Sequence, residues 1–160
     1  MIGVDALSVE IETNAVSGIT RYTVVGLPNG AVRESLDRVM AALRNEDLRF
    51  PVGRVTVNLA PADVRKEGSA YDLPIAIGMS AAAGRSYRDQ LLAELLLVGE
   101  LALDGSLRPV RGVLPMAIQA RSDGLRGIVV PAANAAEAGV VEGLEVYGFE
   151  QLGSVVQFLS

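Results

Sequence analysis

Hydrophobic and polar residues alternate along two early stretches of the chain, residues 4–13 and 54–59, which is the period of a half-buried β-strand. Residues 19–25 lie between them and are predicted to be a strand that returns beside the first. Residues 14–18 (NAVSG) separate the first two predicted strands and are typical of a hairpin loop. The pattern therefore predicts a hairpin of two strands, followed later by a third strand.

A helical period is clearest in residues 31–45, where apolar residues recur every three or four positions and charged residues face outward. Residues 73–83 are almost wholly apolar, which predicts a second helix that is buried on most sides. Asp72 precedes this helix and is predicted to cap its first turn. Gly84 is predicted to end it.

The second half of the chain alternates between strand and helix patterns. The tight-turn pair Asp104-Gly105 predicts a two-residue hairpin between its first two strands. The predicted elements are a short helix at 87–92, strands at 95–103 and 106–110, a helix at 113–121, a strand at 127–130, a helix at 132–140, a strand at 144–147 and a helix at 150–159. No low-complexity linker divides the chain, so we expect one α+β domain over residues 1–160, a mixed α/β two-layer fold with a hairpin-rich first half.

Composition narrows the chemistry. The chain has no Cys and no His, which excludes thiol catalysis, disulfides and any mechanism that needs an imidazole. With three Phe, four Tyr and no Trp, the core is expected to be aliphatic. No apolar run reaches the roughly 20 residues of a membrane span, and the first residues do not resemble a signal peptide. We therefore expect a cytoplasmic protein.

Known nucleotide motifs are absent from the sequence. No Gly-Lys pair occurs, so there is no Walker A motif, and no dinucleotide fingerprint follows the first strand. We expect no ATP hydrolysis by this chain alone. Four carboxylates could form a metal or acid–base site, but their spacing fits no known template: Glu67, Asp72, Glu100 and Asp104.

Ser69 and Lys66, the only Lys, suggest a Ser-Lys pair in which a desolvated Lys acts as general base. The alternative is a solvated Lys66, with Ser69 helping to cap the next turn. A hydroxyl and an ammonium three residues apart in a polar loop are common, so the second interpretation is favoured by the local sequence.

Basic residues occur in two polar turns, with Arg65 and Lys66 in one and Arg108 and Arg111 in the other. If the fold brings these turns together, they form a patch able to meet phosphate. The alternative is two exposed turns with ordinary solubilising charge. The net charge of -5 counts against strong binding of nucleic acid by the whole chain.

Four segments together resemble the N-terminal domain of the magnesium-chelatase-like AAA+ ATPases, the ComM/YifB family of bacterial competence proteins. They cover nearly the whole chain in the family's order. The segments are 57–74 (VNLAPADVRKEGSAYDLP), 25–28 with 31–35 (VGLP, AVRES), 99–101 with 103–115 (GEL, LDGSLRPVRGVLP), and 130–131 with 134–138 (VP, NAAEA).

The resemblance implies a fold of the ribosomal protein S5 domain 2-like class, as in the proteolytic domain of Lon protease. Placing Lys66-Glu67-Gly68 on the Lon nucleophile motif puts the nucleophile position at Ala70. Placing residues 111–114 on the Lon base motif puts the base position at Leu114. Both members of the dyad are then missing, so the resemblance implies a domain with no catalytic residues and no peptidase activity.

In the family, this domain precedes an AAA+ module that binds ATP and Mg²⁺, and none of that module's motifs occurs in this chain. The chain is therefore expected to be an excised or truncated N-terminal domain. The resemblance further implies an ATPase parent that forms a hexameric ring and drives DNA branch migration during recombination and natural transformation. This domain would support the ring and contact DNA through Arg65, Lys66, Arg108 and Arg111. A residual Ser-Lys hydrolase and a pure protein–protein interaction module remain the alternatives.

Overall fold

The computed structural model describes residues 10–16, 21–25, 30–60 and 69–160. Its first sheet contains β1 (Glu10–Val16), β2 (Arg21–Val25) and β3 (Arg54–Ala60). β3 is central, antiparallel to β1 and parallel to β2. Part of the first predicted strand, residues 4–9, lies outside the described residues.

The predicted hairpin between the first two strands is wrong, because among the described strands β1 and β2 both pair with β3 and not with each other. Residues 14–16, predicted as loop, continue β1 and pair with β3. The cause is the helix α1 (Gly30–Asn45), which forms the crossover that parallel strands require and returns the chain beside β2. β1 is left on the other edge of β3.

The two predicted helices of the first half are confirmed as α1 and α2 (Asp72–Ala82), and they pack against each other. The apolar face of α1 is fully buried at Val39, Ala42 and Leu43. α2 is buried on most sides, as expected from its uniformly apolar sequence. Gly84 follows it with a φ of +106°, a backbone conformation that favours glycine and stops a helix.

The predicted strand 95–103 is two strands in different sheets. After α3 (Asp89–Ala93), β4 (Leu95–Leu97) joins a parallel sheet, whereas β5 (Glu100–Leu101) pairs with β6 (Leu107–Arg108). The division falls at Gly99, whose N–H and C=O are bonded to Ala70 and Leu73. The predicted hairpin at Asp104-Gly105 is confirmed, but its loop spans residues 102–106 and not two residues.

The rest of the chain forms the predicted strand–helix alternation. α4 (Val113–Ser122) leads to β7 (Gly127–Pro131), and a 3-10 turn at Ala132–Asn134 leads to α5 (Ala135–Ala138). β8 (Glu145–Phe149) and α6 (Leu152–Leu159) follow. β7 lies between β4 and β8, parallel to both. The mixed α/β architecture is thereby confirmed.

The buried hydrophobic residues of the described chain are aliphatic apart from Met79, and none is aromatic, in agreement with the core predicted from composition. They form two clusters, and β7 contributes to both because successive residues of a strand point to opposite faces. Val129 belongs to the cluster that includes residues of α1, α2 and α6, whereas Ile128 and Val130 belong to the cluster that includes α4. No helix within the described ranges is long and apolar enough to cross a membrane.

Candidate functional site

The segment between β3 and α2, residues 61–71, is named the charged corner. It is described from Ser69 onward, and this end is hydrogen-bonded to the connection between β4 and β5. Gly99 N–H donates to the Ala70 C=O over 3.1 Å, and Leu73 N–H donates to the Gly99 C=O over 3.0 Å. Ala70 is half-buried and its methyl group packs against the second core cluster. The Ser69 C=O accepts a bond from the Asp72 N–H over 3.1 Å. The corner is therefore a fixed part of the fold at this end.

Asp72 is fully buried and receives hydrogen bonds from three directions. Its carboxylate accepts from Arg38 Nε at 2.8 Å and Nη2 at 3.1 Å, from the Leu101 N–H at 2.9 Å, and from the Ser35 hydroxyl. We name these four residues the Asp72 network. A buried carboxylate is tolerated only when it is paired and hydrogen-bonded in this way.

The prediction that Asp72 caps α2 is wrong. Asp72 is the first residue of the helix, the cap position is Tyr71, and no described side chain bonds to the helix end. The carboxylate turns to the Arg38 guanidinium, because a bidentate pair with a cation is stronger than a bond to a neutral N–H. Asp72 therefore joins α1, α2 and β5.

Arg38 was predicted to face outward, but only 22% of its side chain is exposed. Its pKa is raised, chiefly by the hydrogen bond to Asp72 and further by the charges of Asp72, Glu100 and Glu34, against the opposing effect of burial. Sequence reasoning missed both Ser35 and Arg38. A signal did exist for Ser35, since a polar residue at that position shares the buried face of Val39 and Ala42.

The predicted base position, Leu114, lies in the first turn of α4. Its N–H donates to Glu137 Oε2 over 3.3 Å, and Glu137 Oε1 accepts from Asn134 Nδ2 over 3.3 Å. Gly112 precedes the helix with a φ of +78°. Leu114 presents an isobutyl group, which accepts no proton, so the polar groups here serve the helix end and the connection before it.

Arg108 and Arg111 are both exposed, on either side of Val110. The pKa of Asp104 is lowered, chiefly by hydrogen bonds from Ser106 and to a smaller extent by the charge of Arg108. Arg65 and Lys66 lie outside the described residues, so their meeting with the other two stays a prediction, and so does the Ser69–Lys66 pair. Within the described part of the chain, no group of three or more metal-ligating side chains could hold an ion.

Comparison with known proteins places these features in a family. Residues 11–134 match the model of subunit ChlI of Mg-chelatase. The chain is 45% identical to the competence protein ComM of Haemophilus influenzae and 41% identical to the protein YifB of Escherichia coli, over 99% of its own length in both cases.

A more distant relative is the Lon protease of Chloroflexus aurantiacus, at 26% identity over 78% of the chain and 16% of the protease. The chain spans 31% of the length of ComM and of YifB. The family model covers most of the chain and includes both sides of the Asp72 network. The chain belongs to the family of the ChlI subunit of Mg-chelatase, with relatives named ComM and YifB.

Proposed function

We propose that this chain is a non-catalytic, Lon-like domain of a ComM-type AAA+ ATPase, in which it supports ring assembly and contacts DNA. The observation that carries the proposal is the state of the charged corner. The nucleophile position, Ala70, has a methyl group, and the nearest buried acid, Asp72, is occupied by Arg38 and Leu101. In this proposal the charged corner stabilises the fold and provides no group that transfers a proton.

The finer fold class is part of the same proposal. A fold like ribosomal protein S5 domain 2 and the Lon proteolytic domain fits the likeness to Lon protease over 78% of the chain. It also fits the mixed sheet, in which a central strand has a parallel and an antiparallel neighbour. A Lon-type fold that lacks the dyad at Ala70 and Leu114 would be retained for packing and assembly.

The chemistry of the whole protein would come from an AAA+ module. ComM and YifB are about three times as long as this chain, which leaves room for such a module in proteins of this type. ATP and Mg²⁺ would bind there and not to this domain. The assembled protein would be a cytoplasmic hexamer that moves DNA branches during recombination and natural transformation, with neighbouring subunits as the partners of this domain.

We assign the DNA contact to Arg108 and Arg111, and we include Arg65 and Lys66, which lie outside the described residues, in the same proposed patch. An exposed guanidinium group can donate two parallel hydrogen bonds to one phosphate, so arginine is well suited to contact the DNA backbone. The net charge of -5 opposes binding, which means that the contact must be local and strongly dependent on salt. Binding of this kind carries no sequence specificity.

A DNA titration at two salt concentrations tests the proposal. Replacing Arg108 and Arg111 with Ala should weaken binding and reduce the slope of log K against log salt by about two, since each phosphate contact contributes about 0.9. The matched control replaces Arg44 and Arg54, two exposed arginines of α1 and β3. Equal effects of both pairs, or no effect of the first, would remove the assigned contact.

A further inference from the structure

Asn134 is a buried amide whose two polar atoms both bond to one residue of a neighbouring segment. It ends the 3-10 turn after β7 and is 6% exposed. Its Oδ1 accepts the Val110 N–H and its Nδ2 donates to the Val110 C=O, both over 3.0 Å. A side-chain amide that satisfies both backbone groups acts like the neighbouring strand that Val110 lacks. Val110 is thereby fixed in position and in orientation.

Val110 lies between the two exposed arginines, so the same bonds fix the backbone that carries them. At one end Arg108 pairs with β5 in the hairpin. Just beyond the other end, the Leu114 N–H is bonded to Glu137, which Asn134 also contacts. The segment from Arg108 to Arg111 is therefore bonded to other parts of the chain at Arg108, at Val110 and, just beyond Arg111, at Leu114.

We propose that Asn134 is a positioning residue for phosphate contact by Arg108 and Arg111, an inference that rests on the DNA contact proposed above. Two arginines that meet a phosphate backbone already lose much side-chain freedom. If their backbone were mobile as well, its ordering would add to that loss on binding. Asn134 removes this second loss by ordering the segment during folding.

The test is a double-mutant cycle on DNA affinity. Asn134→Ala is made in the wild-type chain and in the Arg108→Ala/Arg111→Ala chain, and the affinity of each folded variant for a duplex oligonucleotide is measured. We expect a loss of roughly three- to tenfold in the wild-type chain, part of the cost of ordering one residue. No further loss is expected once the arginines are gone, because Asn134 acts through them.

Two further variants separate positioning from general damage. Asn45→Ala is the matched control, since Asn45 Nδ2 donates to the Leu103 C=O over 2.6 Å in a different loop, and its removal should leave DNA affinity unchanged. Asn134→Leu keeps the approximate size of the side chain and adds no charge beside Glu137, but it removes both bonds to Val110. It should weaken binding in the same direction and provides the test if the Ala variant does not fold.

The outcomes separate the positioning role of Asn134 from the DNA contact on which it rests. If the Asn134 variants bind as the wild type does, or lose equal affinity in both backgrounds, while the arginine variant still binds weakly, the positioning role is overturned and the DNA contact stands. If removal of both arginines changes neither affinity nor salt slope, the DNA contact falls and the role of Asn134 falls with it.

Discussion

Replacement of Asp72 by Asn tests the buried network at the core of the structure. The carboxylate accepts four hydrogen bonds from Ser35, Arg38 and Leu101, at a site with no exposure. An amide has one acceptor oxygen, and its NH₂ group would face donors on the other side. The Arg38 guanidinium would lose its counter-charge. Removing one partner of a buried ion pair typically costs about 3–5 kcal/mol.

Urea unfolding followed by circular dichroism measures this cost as the change in the free energy of unfolding. A loss of about 3–5 kcal/mol is a large share of the roughly 5–15 kcal/mol that stabilises an ordinary domain. The double variant Arg38→Met/Asp72→Leu should lose less than the sum of Arg38→Met and Asp72→Leu, because each single change leaves the other partner unpaired. A loss below about 1 kcal/mol for Asp72→Asn would refute the reasoning, since that is the range of an exposed pair.

Two smaller perturbations test other parts of the fold. The pKa of Glu145 in the folded chain is lowered, first by the hydrogen bond from the Tyr147 hydroxyl. The ionised carboxylate therefore stabilises the fold above pH 4.5, its ordinary pKa, and this contribution is lost as the pH falls through the lower pKa of the folded state. Glu145→Gln should therefore flatten the acid side of an unfolding-midpoint profile, and an unchanged profile would contradict this. Gly105→Ala should destabilise the fold more than Gly84→Ala, because both positions have a positive φ but only a Cβ at residue 105 would collide with the Glu46 side chain. Equal free energies of unfolding for the two variants would contradict the close packing of Glu46 against Gly105.

The sequence correctly predicts the elements that are marked by their own residues, either by a helical period or by an unbroken apolar run. α1, α2, α4 and β7 lie close to where their patterns placed them, since one face or the whole element is apolar. The alternation of polar and apolar residues identifies a strand, but it does not indicate which other strand it pairs with. The chain therefore predicted a hairpin between β1 and β2, where α1 instead places β3 between them.

The candidate site shows the same limit. The resemblance to Lon implies the positions Ala70 and Leu114, and the exposed arginines are predicted from their place in polar turns, which are local features of the sequence. The Asp72 network was missed because Ser35 and Asp72 are separated by 37 residues, and a helix start favoured the local role of cap. Asn134 was part of a recognised segment, but its bonds to Val110 span 24 residues and follow from packing alone.

Active-site labelling tests the proposal that this domain combines a Lon-like fold with the loss of Lon-type catalysis. A fluorophosphonate probe reacts with an activated serine, which needs a nearby base. We predict no labelling of the wild-type chain beyond that of the Ser69→Ala variant. Labelling of the wild-type chain that Ser69→Ala abolishes would contradict the proposal, and its loss in Lys66→Ala would identify the base.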